Sequence, residues 1–171
     1  MTRELQEKLE SYQRVWAEVD LDAIWENMVH MKENIAEKTK ILAVIKTDGY
    51  GHGGVPIAKM LEQLDFMFGY AAATYEEAHV LREAGVKKPI LILGYTFPYC
   101  YEELIREEIR PAVYRRDTVE ELVAAAAKVG QKAKVHIKVD TGMGRIGITP
   151  DEEGLEFVRS VSYTHLRAHE T

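Results

Sequence analysis

A lysine at the end of an apolar run is the first feature of the sequence that could do chemistry. Residues 41–45 read Ile-Leu-Ala-Val-Ile, and Lys46 follows them directly. A lysine that leaves a buried strand at the mouth of a sheet loses hydration, and this favours the neutral amine that Schiff-base chemistry requires. The alternative is an ordinary strand-end charge that reaches water, which is the usual situation of a lysine.

The residues that follow Lys46 favour the chemical interpretation. Four glycines lie within residues 49–54, and they allow the backbone to approach a ligand closely. Tyr50 lies in the same tract and supplies a phenol that could hold a phosphate oxygen. His52 could be a ligand or a base, but we expect a histidine flanked by glycines to be a structural hydrogen-bonding residue.

A second cluster of polar residues occupies positions 136–148. Strand alternation places Lys138 on the same face as His136 and Asp140. If that face is the interior of a barrel, a bare ammonium is costly, so Lys138 must be paired, neutralised or modified. Asp140 could pair with it. Arg145 lies in a glycine-rich loop, and its rigid fork suits a carboxylate or a phenolate oxygen as well as a surface ion pair.

The elements that must position these residues follow from an alternation of short β-branched runs and amphipathic stretches. This alternation is typical of a parallel sheet with crossover helices. We predict strands over residues 15–19, 41–45, 66–70, 90–93, 110–113 and 135–139. We predict helices over residues 24–35, 55–63, 76–83, 102–106 and 117–128, and a last helix that begins near residue 151.

Three finer expectations concern the ends and the burial of these elements. The continuous apolar run 41–45 predicts a strand that is buried on both faces. Asp117 is predicted to cap the helix that Gly130 ends. Periodicity alone leaves open a closed barrel or an open doubly wound sheet, but in both folds the chemistry lies at the C-terminal ends of the strands.

At these two motifs the sequence resembles the N-terminal barrel of the pyridoxal-phosphate-dependent alanine racemases. The resemblance runs from residue 15 to about residue 157 and includes the tracts 16–24, 46–53 and 138–147. It implies an α/β fold that is a partial (β/α)8 TIM-like barrel with about five β/α units, the C-terminal part of the barrel being missing. Thr47 and Gly49 stand where the family usually has alanines, and neither supplies a reacting atom.

The resemblance also implies roles for four residues. Lys46 matches the lysine that holds pyridoxal phosphate covalently and serves as one of two catalytic bases, and Tyr50 matches a tyrosine that contacts the cofactor phosphate. Arg145 matches the arginine that contacts the cofactor's phenolic oxygen and the substrate carboxylate. Lys138 matches a lysine that is often carbamylated to orient this arginine, and the carbamate would remove the problem of a buried ammonium.

The function implied by the resemblance is the two-base interconversion of L-alanine and D-alanine, which supplies D-alanine for peptidoglycan. The family's second base is a tyrosine from the C-terminal domain of a second subunit of a homodimer. No residue of this chain matches that tyrosine or the arginine that the family places against the pyridine nitrogen. We therefore expect these 171 residues to be inactive by themselves.

Two other functions are compatible with parts of this pattern. One is a non-catalytic pyridoxal-phosphate-binding barrel of the homeostasis type, but those proteins lack the tract 50–53 and the loop 142–147 as they are written here. The other is racemisation of another small amino acid such as serine. The residues that would choose between serine and alanine are not among those that the resemblance identifies.

Composition excludes several classes of partner. With 22 Lys plus Arg against 28 Asp plus Glu, the net charge of −6 gives no electrostatic reason to bind nucleic acid. No apolar run reaches about 18 residues, so we expect no membrane-spanning helix. The N-terminus has no apolar signal core and Cys100 has no partner for a disulfide, which favours a cytoplasmic location.

The last eleven residues, 161–171, match neither the family nor the expected β/α pattern. Codon by codon, they resemble the translation of a transposon-type sequencing adapter. We therefore predict a truncated cofactor-binding barrel domain over residues 1–160, followed by an artefact over residues 161–171. A closed barrel of this type takes about 250 residues, so five units would be part of a larger domain.

Overall fold

The computed structural model of this chain describes Lys8, Tyr12, residues 15–162 and the backbone of residues 167–170. In these residues a six-stranded parallel sheet has the order β1-β2-β3-β4-β5-β6, so neighbours in sequence are neighbours in the sheet. Because a doubly wound sheet reverses its strand order and this one does not, the order favours the barrel over the open sheet. The strands are β1 Ile41–Val44, β2 Met67–Ala72, β3 Ile90–Ile92, β4 Ile109–Val113, β5 Lys134–Ile137 and β6 Arg167–Glu170.

A helix follows each of the first five strands, which confirms the predicted five β/α units. The helices are α1 Leu21–Glu33, which precedes β1, then α2 Gly54–Leu61, α3 Tyr75–Glu83, α4 Tyr101–Arg106, α5 Arg116–Val129 and α6 Glu152–Ser162. A 3-10 turn over Pro98–Cys100 leads into α4. Gly130 ends α5 in the left-handed conformation (φ 72°), as its position predicts.

The two faces of the sheet have different surroundings. Tyr70, Ile90 and Ile109 are in register, at most 1% exposed, and belong to the apolar core that packs against the helices. The next row contains Leu91 and Arg110, which point to the opposite face because side chains alternate along a strand. That opposite face is the inner face of the barrel wall.

Two predictions about the N-terminal part of the sheet are wrong. Residues 15–20 form no strand, and Trp16 is 68% exposed. A strand requires a neighbour for its backbone hydrogen bonds, and none of the described strands pairs with this segment. Val44 of β1 is 42% exposed, so β1 is not buried on both faces, because β1 is an edge strand of the described sheet.

The predicted cap of α5 is also wrong. The helix begins at Arg116, so its capping position is Arg115 and Asp117 lies in the first turn. There the Asp117 carboxylate accepts the backbone N–H of Thr118 at 2.7 Å and pairs with the Arg115 guanidinium. A carboxylate in the first turn still stabilises the helix through its dipole, so the residue type favours a helix start without fixing which residue is the cap.

The C-terminal residues differ in part from the expectation that they fit no β/α unit. Helix α6 continues past residue 160 to Ser162, and the backbone of Arg167–Glu170 pairs in parallel with Lys134–Ile137. Residues 163–166 and 171 lie outside the described residues. Pairing of a short backbone segment requires no particular side chains, so it does not decide where these residues come from.

Candidate active site

The residues after Lys46 form a left-handed turn at the C-terminal end of β1. Thr47 (φ 55°, ψ 46°), Asp48 (φ 52°, ψ 49°), Gly49 (φ 62°, ψ 36°) and Tyr50 (φ 56°) all have positive φ. For a residue with a side chain this conformation costs about 1–2 kcal/mol, and three of these four residues have one. The backbone is therefore strained at the lysine that the sequence singles out, and surrounding contacts must hold it.

Hydrogen bonds within the tract hold part of the turn. The Gly49 N–H donates to the Ile45 carbonyl at 2.9 Å, and the Gly53 N–H donates to the Asp48 carbonyl at 2.9 Å. The Asp48 side chain accepts the N–H of Gly54 at 2.7 Å, which joins the turn to the start of α2. A Cβ on Gly49 would lie 3.2 Å from Ile57 Cδ1, so close packing as well as backbone conformation favours glycine there.

The turn brings Lys46 and Tyr50 together. Lys46 Nζ lies 5.8 Å from the centroid of the Tyr50 ring, within the range of a cation–π contact. Lys46 is half-buried and Tyr50 is 61% exposed. His52 Nδ1 lies 3.1 Å from the Gly49 carbonyl oxygen and 3.2 Å from that of Tyr50, in agreement with a structural hydrogen-bonding role.

Sequence reasoning missed Glu77, which also contacts this turn. Its Oε1 accepts the Thr47 N–H at 2.9 Å and its Oε2 accepts the Ala73 N–H at 2.8 Å. Glu77 is 30 residues from Thr47, so no local pattern indicates the contact. One feature of the sequence could have indicated Glu77. It lies three residues after Thr74, the cap of α3, and a glutamate at that position often accepts hydrogen bonds from backbone N–H groups.

The second predicted cluster follows β5, so both clusters lie at the C-terminal ends of the strands. Lys138 is half-buried, its N–H donates to the Val113 carbonyl at 3.0 Å, and its carbonyl accepts the Ile148 N–H at 2.9 Å. His136, two residues earlier, is buried in register with Ala112. Strands β2, β3 and β4 separate this cluster from Lys46, so the two clusters lie at different positions around one mouth.

Asp140 organises the loop that contains Arg145. Its Oδ1 accepts the N–H groups of Gly144 at 3.0 Å and Gly142 at 2.9 Å, and these hydrogen bonds lower the pKa of Asp140, with a smaller contribution from the Lys138 charge. At the end of the loop, Gly147 has a φ of 140° and packs against the backbone of Asp140, so a Cβ on Gly147 would lie 2.5 Å from Asp140 N. The loop is therefore closed by backbone contacts that glycines make available.

Arg145 is exposed, and Lys138 and Arg145 make no side-chain hydrogen bond or ion pair in the described part of the chain. The ion pair between Lys138 and Asp140 that the sequence allowed is not formed, because Asp140 turns to its own loop. Among residues 15–162, no group of histidine, cysteine, aspartate and glutamate side chains could hold a metal ion. No described helix combines the length and the apolar character that crossing a membrane requires.

Comparison with known proteins identifies the family of this chain. The family model described as the N-terminal domain of alanine racemase matches residues 19–168. The chain belongs to the alanine racemase family. This result confirms the resemblance of the two motifs, and residues 15–18 lie before the matched region.

Similar alanine racemases cover most of this chain. Alanine racemase 1 of Oceanobacillus iheyensis is 42% identical over 155 residues, which are 90% of this chain and 41% of the relative. An alanine racemase of Clostridium perfringens is 48% identical over 147 residues, 86% of this chain and 38% of the relative. The chain therefore spans about 40% of the length of these relatives.

Solved structures give the same result for the fold. The alanine racemase of Clostridium difficile 630 superimposes with a TM-score of 0.87 at 37% identity, covering 90% of this chain and 40% of that one. Its complex with cycloserine gives a TM-score of 0.89 at 36% identity, covering 93% of this chain and 44% of that one. The α/β fold is thus that of the N-terminal barrel of alanine racemases, of which this chain is a part.

Proposed function

We propose that this chain is the cofactor-binding part of a pyridoxal-phosphate-dependent alanine racemase, which interconverts L-alanine and D-alanine. The observation that carries the proposal is the half-buried Lys46 on a strained left-handed turn, with the Tyr50 ring 5.8 Å from its amine, in a chain of this family. Backbone strain is concentrated at functional sites, where other contacts offset its cost. The names of the relatives favour this function over a non-catalytic cofactor-binding module.

The donor set at the mouth of the barrel fits pyridoxal phosphate. Lys46 offers the amine of a half-buried side chain, Tyr50 an exposed phenol, and Arg145 an exposed guanidinium on a glycine-closed loop. When bound, the cofactor supplies an aldehyde that condenses with amines and a ring that accepts electrons from the substrate Cα. An amine, a phosphate-binding hydroxyl and a fork for an anionic oxygen are the protein groups that such a cofactor requires.

The four residues then have different tasks. Lys46 binds the cofactor and carries the exchanged proton on Nζ. Tyr50 donates its O–H to the phosphate, and Arg145 donates to the phenolic oxygen and to the substrate carboxylate. Lys138, carbamylated, accepts from the Arg145 guanidinium and orients it, which gives the half-buried Lys138 side chain a charge partner.

Racemisation requires a second base on the opposite face of the substrate. We assign this base to a tyrosine in the C-terminal domain of a second subunit, so that the whole protein works as a homodimer. Its proposed setting is the cytoplasm, where D-alanine is needed for peptidoglycan. Alanine is the proposed substrate because the relatives are named for it, and the cycloserine complex is a property of the Clostridium difficile protein.

Covalent trapping tests the cofactor assignment. The chain is incubated with pyridoxal 5′-phosphate, reduced with borohydride and digested, and the pyridoxyl group is located by mass spectrometry. We expect the label on Lys46 in preference to other lysines, and its loss in Lys46→Ala. The matched control is Lys59→Ala, which removes an exposed lysine of α2 and leaves the label on Lys46. Label spread evenly over the lysines would contradict the proposal.

A further inference from the structure

The Glu77 carboxylate joins the ends of two neighbouring strands. One oxygen accepts the N–H of Thr47, three residues beyond Val44 at the end of β1, and the other accepts the N–H of Ala73, directly after β2. The distances are 2.9 and 2.8 Å, within the normal range for charge-assisted bonds. Glu77 is half-buried; its bond to Ala73 is partly shielded from water, whereas its bond to Thr47 is exposed.

The position of Glu77 on its helix makes this arrangement informative. It is the third residue of α3, and its N–H donates to the Thr74 side chain at 3.4 Å. In a capping box, a glutamate at this position turns back to the N–H of the cap residue itself. Glu77 instead reaches Ala73 and the turn after β1, so its carboxylate bonds outside its own helix. The helix dipole favours a negative charge in this first turn.

Thr47 is the residue at which the strain begins. It follows Lys46 directly, and its φ of 55° is unfavourable for a residue with a branched Cβ. The other bonds of the turn start from Gly49 or later residues, so Glu77 supplies the side-chain acceptor for the first N–H of the turn. Without that acceptor, Thr47 can return to an ordinary backbone conformation and Lys46 loses its fixed direction relative to Tyr50.

We infer that Glu77 is a positioning residue, which keeps the turn after Lys46 in the left-handed conformation that presents the amine to the cofactor. The inference rests on the proposed role of Lys46, but the effect of Glu77 on the turn does not depend on the cofactor. Glu77 acts only through the backbone of Thr47 and Ala73, and it touches neither substrate nor cofactor. Binding to a turn that is only partly in the competent conformation is weakened in proportion to that fraction.

Glu77→Gln tests the inference because an amide has a single acceptor oxygen, while its NH2 group repels the second N–H. Hydrogen exchange of the full chain without cofactor should be about tenfold faster at Thr47 or Ala73 than in the wild type. Labelling with pyridoxal 5′-phosphate and borohydride at Lys46, relative to Lys59, should fall about tenfold. Glu77→Ala, which removes both acceptors, should show the larger loss in both measurements.

Glu76→Gln is the matched control, because Glu76 lies in the same helical turn but bonds to Tyr99 instead of the strand ends. It should leave both the exchange rates and the Lys46 label unchanged. Unchanged Thr47 and Ala73 exchange in Glu77→Gln, or an equal loss of label at Lys46 and Lys59, would overturn the inference. If wild-type Lys46 is not labelled preferentially, the cofactor proposal fails, while the exchange rates still decide whether Glu77 holds the turn.

Discussion

At the residue scale, burial decides which side chains can react. Cys100 is 2% exposed, and its Sγ lies 3.1 Å from the Phe97 carbonyl oxygen, to which the thiol donates. Burial, with a smaller contribution from the Glu76 charge, raises the pKa of Cys100 from 9.0 to about 11. The single cysteine of this chain is therefore an inert part of the turn before α4 and not a candidate nucleophile.

The rate of thiol labelling tests whether burial makes Cys100 unreactive. Because the reactive form is the thiolate, a pKa raised from 9.0 to about 11 should slow alkylation of the native chain at pH 8 about a hundredfold or more. We expect the rate to reach that of a free thiol when the chain is unfolded in urea. Native Cys100 that reacts as fast as the unfolded control would show that the site is accessible and its thiol unperturbed.

At the element scale, one arginine connects α3 to the segment before β3 and to the segment between α4 and β4. The Arg82 guanidinium donates from Nε to the Glu107 carbonyl at 2.8 Å and from Nη1 to the carbonyls of Val86 at 2.7 Å and Lys88 at 2.9 Å. A fourth, longer bond runs from Nη2 to the Glu108 carbonyl at 3.4 Å, so Arg82→Met keeps much of the apolar stem but leaves four carbonyls without this donor. We expect the free energy of unfolding, measured in urea, to fall by about 3 kcal/mol.

Arg106→Met is the control for Arg82→Met. Arg106 is half exposed, and among the described residues it pairs only with the carboxylates of Glu102 and Glu103 on its own helix. Such surface pairs contribute about 0–1 kcal/mol, so its loss should be small. Equal effects of the two substitutions would mean that the Arg82 contacts do not stabilise the fold beyond an exposed ion pair.

The loop after β5 should respond to acid through Asp140. The N–H groups of Gly144 and Gly142 lower the pKa of Asp140 below its ordinary 3.8. Because the pKa of Asp140 is lowered, the ionised carboxylate stabilises the closed loop at pH values above 3.8. This stabilisation is lost as the pH falls through the lowered pKa. In an NMR titration we expect the Asp140 carboxyl to titrate below 3.8, and the Gly142 and Gly144 amide shifts to follow it.

Asp140→Asn separates the charge from the hydrogen bonds. The amide oxygen can still accept from the two glycines, but it cannot ionise in this range. The pH-dependent step in the glycine shifts should therefore disappear. A carboxyl midpoint at or above 3.8 in the wild type would contradict the assignment of the loop to Asp140.

At the scale of the whole molecule, the chain spans about 40% of its relatives and carries one of the two proposed bases. We predict that the 171 residues, loaded with pyridoxal 5′-phosphate, do not racemise L-alanine. Chiral chromatography of the product checks this against a full-length alanine racemase. Sustained formation of D-alanine by this chain would disprove the role given to the second subunit.

The origin of residues 161–171 stays a prediction that the nucleotide sequence can test. Codons other than those of the adapter, or reads that continue through it into a natural gene, would contradict the artefact. The backbone pairing of Arg167–Glu170 with β5 and the family match as far as residue 168 describe the chain as it stands. Neither observation depends on how the codons arose.

The sequence by itself determined the β/α order and the two chemical clusters. Apolar runs and helical spacing are local properties, so five β/α units and the positions of Lys46 and Lys138 at strand ends could be read directly. Segment 15–19 has the same kind of local pattern but forms no strand, because a strand also needs a partner that the pattern does not contain.

The tertiary structure alone decided the strand order, the left-handed turn and the contact that holds it. Thr47 and Asp48 carry no local signal for positive φ, and their conformation is stable only because other groups meet their backbone. The acceptor for the Thr47 N–H comes from Glu77, 30 residues away, on a helix that meets the turn after β1 only in the folded chain. Residue type and spacing thus predict which lysine can react, while the tertiary fold determines how its amine is oriented.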